Sequence, residues 1–412
     1  MLPAFLDAFL DALTLRAGYN AALVAVGATL LGMAGGCAGC FMFLRKRTLV
    51  SDAVAHATLP GVCIAFILMV ALGGDGRNLP GLLLGSAATA GLGLLSVDWI
   101  TRRTRLSEDA AIGAVLSVFF GVGVVLLTVI QTLSSGRQAG LEGFLLGSTA
   151  GMLFQDAVVI AVGGALSTAI VLLLRRPMTL VAFDPEYAGA TGVPVRLVDI
   201  AMMTVVMMVT VIGLKLVGLI LIVSSLIIPS VSARFWTDRS ERLLIIAAAT
   251  GGVAGYIGTA LSAAAPNMPT GPIIVLVNFA FFLISLLLSP KRGVLAAYLR
   301  HRRFQADVHV HQGLVALARG ETIHERLTQK MMRRAGFLRD DLVATEKGRA
   351  AAAKTVLDEA RWIKARQLIR DEAIFASYDG LTPIETVLTP DQIRTIDAAL
   401  SPPAPAPAPA KS

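Results

Sequence analysis

The chain has 412 residues, of which 55% are hydrophobic and 16% are charged, and its formal net charge is +8. Soluble domains carry about 25% charged residues, so this composition, with a mean hydropathy of +0.71, excludes an ordinary soluble protein and indicates a polytopic membrane protein. Charge is unevenly placed, because residues 291–412 hold 20 Lys and Arg against 14 Asp and Glu. The sequence therefore predicts an all-α membrane domain over residues 21–290, followed by a basic domain over residues 291–400.

The first 20 residues alternate apolar and acidic side chains at helical spacing. Phe5, Leu6 and Phe9 fall on one side of such a helix, and Asp7 and Asp11 on the other. This pattern predicts an interfacial helix lying on the membrane.

The chain contains repeated apolar stretches, and their lengths are close to the ~20 residues that a membrane helix needs. We expect about nine spans, with eight as the alternative count. They lie at about 21–44, 49–72, 79–100, 110–132, 157–174, 198–213, 216–232, 243–262 and 272–289. The sixth and seventh are short and nearly continuous, which also fits broken helices or a hairpin that lines a cavity.

Basic residues between the expected spans predict the orientation, since short cytoplasmic loops accumulate Lys and Arg. Twelve such residues fall on one side and three on the other. They are Arg45, Lys46, Arg47, Arg102, Arg103, Arg105, Arg175, Arg176, Arg196, Arg234, Arg239 and Arg242, against Arg16, Arg77 and Arg137. The N-terminus is therefore expected outside and the C-terminal domain in the cytoplasm.

Residues 49–61, LVSDAVAHATLPG, place polar side chains in a predicted membrane helix. Asp52 and His56 are four residues apart, so a helix turns both onto one face. Ionisable residues in a membrane segment are expensive unless they meet a partner, a cavity or an ion, which favours a metal site on a transport path. The alternative is a capping Asp52 at an interfacial turn with His56 packed nearby.

Residues 183–194, FDPEYAGATGVP, interrupt the apolar pattern with an Asp-Pro helix start, a short helix and a Gly break. A short capped helix on the cytoplasmic side suits docking to another protein, whereas an ordinary connection between helices is the alternative. Cys37 and Cys40 in GGCAGC add a possible soft ligand pair. The glycines around them favour a close helix contact instead.

Five stretches occur in order over about residues 20–293: RKRTLVSDAVAHATLPG, FDPEYAGATGVPV, KLVGLILIVSSLIIPSVSAR, PNMPTGPIIVL and SPKRG. Together, in this order, they resemble the permease subunits of ABC importers for manganese, zinc or iron, the ABC-3 family. The resemblance implies a type II ABC importer with two permeases, the second a copy of this chain or a homologous permease. It also implies a separate ATPase subunit and an extracytoplasmic metal-binding protein.

On this resemblance, Asp52 and His56 match positions that line the metal path. The cytoplasmic loop that contacts the ATPase corresponds to Phe183, Asp184, Pro185, Glu186, Tyr187, Ala188, Gly189 and Gly192. The chain lacks a G-x-x-x-x-G-K-[ST] motif, so ATP would be bound by another subunit and the chain itself is not expected to be an enzyme. The divalent ion would be cargo, with no cofactor bound permanently, in a bacterial cytoplasmic membrane.

Residues 291–400 predict a small α+β domain. Residues 322–334 read as a helix that stops at Gly336, FLRDDLVAT as a two-stranded wing, and residues 346–370 as a long helix. The stretch resembles the winged helix of diphtheria-toxin-repressor-type regulators, although no His occurs between Leu357 and Leu368, where those regulators carry metal ligands. His301, His309, His311 and His324 suggest a metal sensor, and the net positive charge suggests lipid contact more than nucleic acid. Residues 401–412 are expected to be a disordered Pro/Ala tail.

Three classes of function follow from these observations. The leading one is the permease of an ATP-driven metal importer. Asp52 and His56 alone would also allow an ATP-independent secondary metal carrier or channel. The C-terminal resemblance allows a membrane-tethered DNA-binding regulator.

Overall fold

The computed structural model describes residues 2–74, 76, 78–132, 152–265, 268–369 and 381–400. The chain divides into two compact units, Met1–Ala296 and Ala297–Ser412. The helices of the first unit are α1 Leu2–Leu13, α2 Tyr19–Leu44, α3 Thr48–Ala71, α4 Leu79–Arg103, α5 Glu108–Thr132, α6 Phe154–Phe183, α7 Pro185–Ala190, α8 Val195–Val217, α9 Leu219–Trp236, α10 Ser240–Ala263 and α11 Thr270–Leu288. The remaining helices are α12 Val294–Ala318, α13 Arg326–Arg334, α14 Glu346–Leu368 and α15 Pro390–Leu400, with a 3₁₀ turn at Ile384–Thr386.

Among the described residues, 8 helices are long and apolar enough to cross a membrane. The expected polytopic helical architecture is thus confirmed. The segment expected at 216–232 forms α9, whose described apolar part, Ile222–Trp236, is shorter than these 8 helices. Gly218 joins α8 directly to α9 with a φ of 86°, a left-handed conformation that glycine adopts without steric cost.

The helix α6 is longer than its apolar pattern predicted. It runs for 30 residues and continues through Arg175, Arg176 and Pro177 to Phe183, although the expected span ended at residue 174. Arg175, Arg176 and Pro177 interrupt the apolar pattern, but the helix continues through all three residues. The helix α6 therefore reaches the short helix α7 without an intervening loop.

The helices α2 and α10 form the most extensive contact between described helices of the first unit. Ala28, Gly32 and Gly36 recur every fourth residue on α2, and a side chain at Gly32 would collide with the carbonyl of Gly251. Small residues at this spacing lie on one helix face and let two backbones approach. This contact fixes α2 as a central element.

The helix α3 crosses α4 equally closely. A Cβ atom at Gly61 would meet the carbonyl of Gly85, and one at Gly85 would meet the carbonyl of Gly61. Ser51 and Thr58 are buried, and their hydroxyls donate to carbonyls of α3 itself. The close crossing therefore fixes the rotation of α3, which determines where its ionisable side chains point.

The second unit has two small apolar clusters in its described residues. Leu314, Met332, Leu338 and Ala352 form one cluster. The other consists of Trp362, Ala365, Ile384, Leu388 and Ile396, which hold α14 against the 3₁₀ turn and α15. The helix expected at 346–370 is present as α14, which Thr345 caps by accepting the N–H of Gly348 at 3.0 Å.

The expected α+β winged-helix domain is not supported. In the described part of the second unit the elements are helical, apart from one isolated antiparallel bridge between Leu338 and Ala344. The turn between these two residues is tight, because Arg339 N–H donates to Val343 O at 2.9 Å and Leu342 has a φ of 64°. Thr345 then caps α14, so no residues remain to extend a two-stranded ladder. The expected tail at 401–412 lies outside the described residues.

Candidate functional site

Asp52 and His56 lie one turn apart on α3, near its N-terminal end, as the spacing predicted. His56 Nε2 is 3.5 Å from Asp52 Oδ1. The two side chains are 20% exposed for His56 and 39% exposed for Asp52, so both are accessible from outside this single chain. The pair therefore offers one imidazole and one carboxylate to a common ion.

The ring of His56 is oriented by a neighbouring aromatic side chain. It packs edge-on against Phe120 of α5, with ring centroids 4.9 Å apart and an interplanar angle of 86°. His56 Nδ1 is buried and has no hydrogen-bond partner within the described chain. The imidazole is thus held by packing on one side and by Asp52 on the other.

Within the part of the chain that the structure describes, the pair is not joined by further metal-binding side chains. In the described ranges, no group of three or more His, Cys, Asp or Glu side chains could hold a metal ion. Structural metal sites usually supply four protein ligands. Two donors from one chain therefore suit an ion that is held briefly, rather than one that is locked in place.

Cys37 and Cys40 are buried in a helix contact. They are 5% and 0% exposed, and Cys40 Sγ lies 3.8 Å from the carbonyl of Leu243. A side chain at Gly39, between them, would collide with the carbonyl of Leu226. These contacts agree with the packing interpretation of the two cysteines.

Three further acidic residues of the membrane helices lie in environments that differ from one another. Asp156 is 3% exposed, and its carboxylate accepts the N–H of Leu153 at 2.8 Å. Asp98 accepts from Arg102 at 2.7 Å on the same helix. Asp199 accepts two hydrogen bonds from a distant arginine. The Asp199 pair was missed because no local pattern links residues 154 positions apart.

The short helix α7 follows α6 at a sharp corner. Asp184 caps it, because its carboxylate accepts the N–H of Tyr187 at 2.9 Å, and Pro185 occupies the first turn. Gly192 ends it with a φ of 84°, and Gly192 N–H donates to Gly189 O at 3.1 Å. Together with a bond from the next N–H, to Ala188 O, this is a Schellman stop.

One side of α7 is buried against this chain, and the other side is exposed. Ala188 is fully buried, whereas Tyr187 is 57% exposed and Phe183 is 61% exposed. Two large exposed side chains, one at the end of α6 and one on the capped helix α7, form a surface that suits contact with another protein. The predicted short helix is therefore present, with its most exposed aromatic residues at the corner.

The histidines of the second unit do not converge. His309 Nδ1 lies 3.3 Å from Glu325 Oε2, and His311 Nε2 lies 3.3 Å from Glu359 Oε1. Both histidines are on α12, where residues two positions apart point in different directions. Their separate partners give no support to a shared metal-sensing site within the described residues.

Comparison with known proteins places this architecture in a family. Residues 19–289 match the model of the ABC 3 transport family. The chain is 41% identical to the manganese transport system membrane protein MntC of Bacillus subtilis over 298 residues, which are 72% of this chain and 67% of that protein. It is 36% identical to the zinc transport system membrane protein TroC of Treponema pallidum over 285 residues, 69% of this chain and 94% of that protein.

Solved structures agree with these sequence matches. PsaBC from Streptococcus pneumoniae in complex with Fab is similar with a TM-score of 0.60 and 27% identity, over 73% of this chain and 100% of that chain. An inward-facing metal-chelate type ABC transporter shares the fold at a TM-score of 0.53 and 16% identity, covering 69% of this chain and 98% of that chain. The family match covers α2 to α11, including Asp52, His56 and α7. The chain belongs to the ABC 3 transport family.

Proposed function

We propose that this chain is the transmembrane permease subunit of an ATP-driven importer of a divalent transition metal ion: manganese, zinc or iron. The family match over residues 19–289 is the observation that carries this proposal. Relatives named for manganese and zinc transport support the class of cargo. Iron belongs to the same proposal because carboxylate and imidazole ligands suit all three ions.

In this proposal Asp52 and His56 line the path of the ion. Their two donors, 3.5 Å apart, are only partly buried within this chain. The same two residues of a second copy, or the equivalent ligands of a homologous permease, would complete the coordination together with water. A small number of ligands from each chain favours transport, because an ion on a conducting path must also leave its site.

The remaining partners follow from the same assignment. A separate ATPase binds the surface formed by Phe183 and Tyr187 on the cytoplasmic side, and an extracytoplasmic protein delivers the metal. The twelve basic loop residues against three support this orientation in a bacterial cytoplasmic membrane, with the second unit inside and close to lipid.

Radiometal uptake into proteoliposomes that contain the chain with its co-expressed ATPase and binding protein tests the proposal. Asp52→Asn and His56→Gln should each lower ATP-dependent uptake by at least about 100-fold, equivalent to about 2.7 kcal/mol in the transition state. The matched control Asp98→Asn removes one membrane carboxylate from an exposed pair on α4 and should transport normally. In the same preparations, Tyr187→Ala should reduce the amount of ATPase that co-purifies.

Two results would contradict this function. Uptake at the native rate by both Asp52→Asn and His56→Gln would remove these residues from the path. Metal uptake that is equally fast without ATP and without the ATPase would support the secondary carrier or channel instead.

A further inference from the structure

Arg45, in the turn after α2, joins three segments of the first unit. Its Nη1 donates to the carbonyl of Val181 at 3.1 Å, and its Nη2 donates to both carboxylate oxygens of Asp199 at 3.0 and 2.9 Å. The side chains of Arg45 and Asp199 are only 14% and 21% exposed. Ion pairs with this degree of burial are screened less than surface pairs, and removing one partner leaves the other charge partly buried and unpaired.

The two partners of Arg45 flank the docking helix α7. Val181 lies in the last turn of α6, three residues before Asp184, which caps α7. Asp199 lies in the second turn of α8, which begins at Val195, shortly after the stop of α7 at Gly192. One guanidinium therefore holds the chain on both sides of the surface proposed to contact the ATPase.

Arg45 is also close in sequence to the metal pair. The turn from α2 to α3 is tight, because Lys46 has a φ of 57° and Arg47 N–H donates to Met42 O at 3.0 Å. The helix α3 begins at Thr48, and Asp52 lies four residues later. No flexible loop separates Arg45 from the start of the helix that carries Asp52 and His56.

Arg47 adds a second connection at the same place. Its Nε lies 2.9 Å from Glu108 Oε1 on α5, and its Nη1 lies 3.8 Å from Asp199 Oδ2. Arg47, Glu108 and Asp199 also line a cavity of about 230 Å³. Asp199 thus meets two arginines beside an open space, so these side chains have room to change partners when the helices move.

We infer that Arg45 and Asp199 are positioning residues that transmit movement of α7 to the Asp52–His56 pair, an inference that rests on the proposed function. When the ATPase displaces α7, the ends of α6 and α8 move with it. Arg45 passes this displacement to the first turn of α3. An arginine is required because Nη2 binds both oxygens of the Asp199 carboxylate while Nη1 reaches the carbonyl of Val181, whereas a lysine has a single nitrogen for both partners.

The ratio of ATP hydrolysed to metal ions transported tests this coupling in the full complex reconstituted in proteoliposomes. Asp199→Asn should leave the ATPase bound and hydrolysing ATP, while the ratio rises about tenfold. Arg45→Lys keeps the charge but loses the fork, so its ratio should rise by a smaller factor, about threefold. Asp391→Asn is the control, since the exposed Asp391–Arg394 pair lies within one helix, α15, and links no two elements.

The outcomes separate coupling from other roles. A purely structural role would lower hydrolysis and uptake together and leave the ratio unchanged, which would overturn the inference. If the complex with Asp199→Asn does not assemble, a native ratio of ATP hydrolysed to metal transported in Arg45→Lys would also overturn the inference. Asp52→Asn is measured in parallel: normal uptake there contradicts the proposed metal path, whereas lost uptake there with a native ratio in Asp199→Asn overturns only the coupling role.

Discussion

In the first unit, α2 and α10 approach until a side chain at Gly32 would strike the carbonyl of Gly251. In the second unit, α14 and α15 are held by the Trp362 cluster and by Arg361, which binds both carboxylate oxygens of Asp397 at 2.7 Å. The difference follows from the surroundings proposed for each unit. Lipid tails are as apolar as the side chains, so membrane helices associate through close backbone packing. In water, by contrast, apolar side chains cluster together and exposed ion pairs add little to stability.

The close backbone contacts lie within the part of the chain that the family model matches. Close backbone contacts admit few residue types, and they recur along α2, α3, α4 and α10. The family match ends at residue 289, before the second unit begins. The comparison also predicts where substitutions have large effects and where they have small ones.

Gly32→Ala should have the largest effect, a loss of stability of the first unit. The added methyl group meets the backbone of Gly251, which cannot rotate away, so overpacking should cost about 1–3 kcal/mol. Gly91→Ala on α4 is the matched control, because the nearest atom to the new methyl group is the flexible Met207 Sδ at 3.9 Å. Thermal unfolding of the two variants in detergent measures the difference, and equal melting temperatures would contradict the close-contact account.

Truncation after Leu299 should have a much smaller effect on transport. The described residues proposed to meet the ion or the ATPase all precede Pro290, so uptake per inserted chain should change by less than about twofold, or about 0.4 kcal/mol in activation free energy. Uptake by the truncated chain at varied internal Mn(II) or Zn(II) checks this and shows whether the second unit modulates the rate. Complete loss of uptake with normal insertion and ATPase binding would make the second unit part of the transport machinery.

The smallest effect concerns the pH dependence of the second unit. Arg361 lowers the pKa of the Asp397 carboxyl, first by hydrogen bonding and then by its charge. The ionised carboxylate therefore stabilises the folded unit at pH values above the ordinary pKa of aspartate, and this contribution is lost as the pH falls through the lowered value. Because the Asp397 side chain is 40% exposed, Asp397→Asn should cost less than about 1 kcal/mol.

Fluorescence of Trp362, which is 3% exposed, reports this unit in a full chain whose other two tryptophans, Trp99 and Trp236, are replaced by Phe. As the pH falls through the lowered pKa of Asp397, this chain and the same chain carrying Asp397→Asn should converge in stability. An unchanged difference between them at acidic pH would show that the Arg361–Asp397 pair does not contribute through its charge.

The local part of the candidate site could be predicted from the sequence. The i, i+4 spacing brought Asp52 and His56 onto one face of α3, and the Asp-Pro start with the Gly break predicted α7. Both depend on hydrogen bonds and side-chain directions within a few residues, which the sequence pattern specifies directly. The wing expected at 337–345 does not form, because paired strands need several residues on both sides of the turn, and Thr345 instead caps α14.

By itself, the sequence determined the membrane class of the protein, the approximate limits of its helices, the placing of Asp52 and His56 on one helix face, and the short helix α7, because hydropathy and helical periodicity act over one segment at a time. Only the tertiary structure decided that Asp199 binds Arg45 across 154 residues, that His56 packs on Phe120, and that α2 meets α10 along glycines. These contacts depend on which helices lie side by side. That choice is made by the fit of whole helix surfaces, which no local pattern contains.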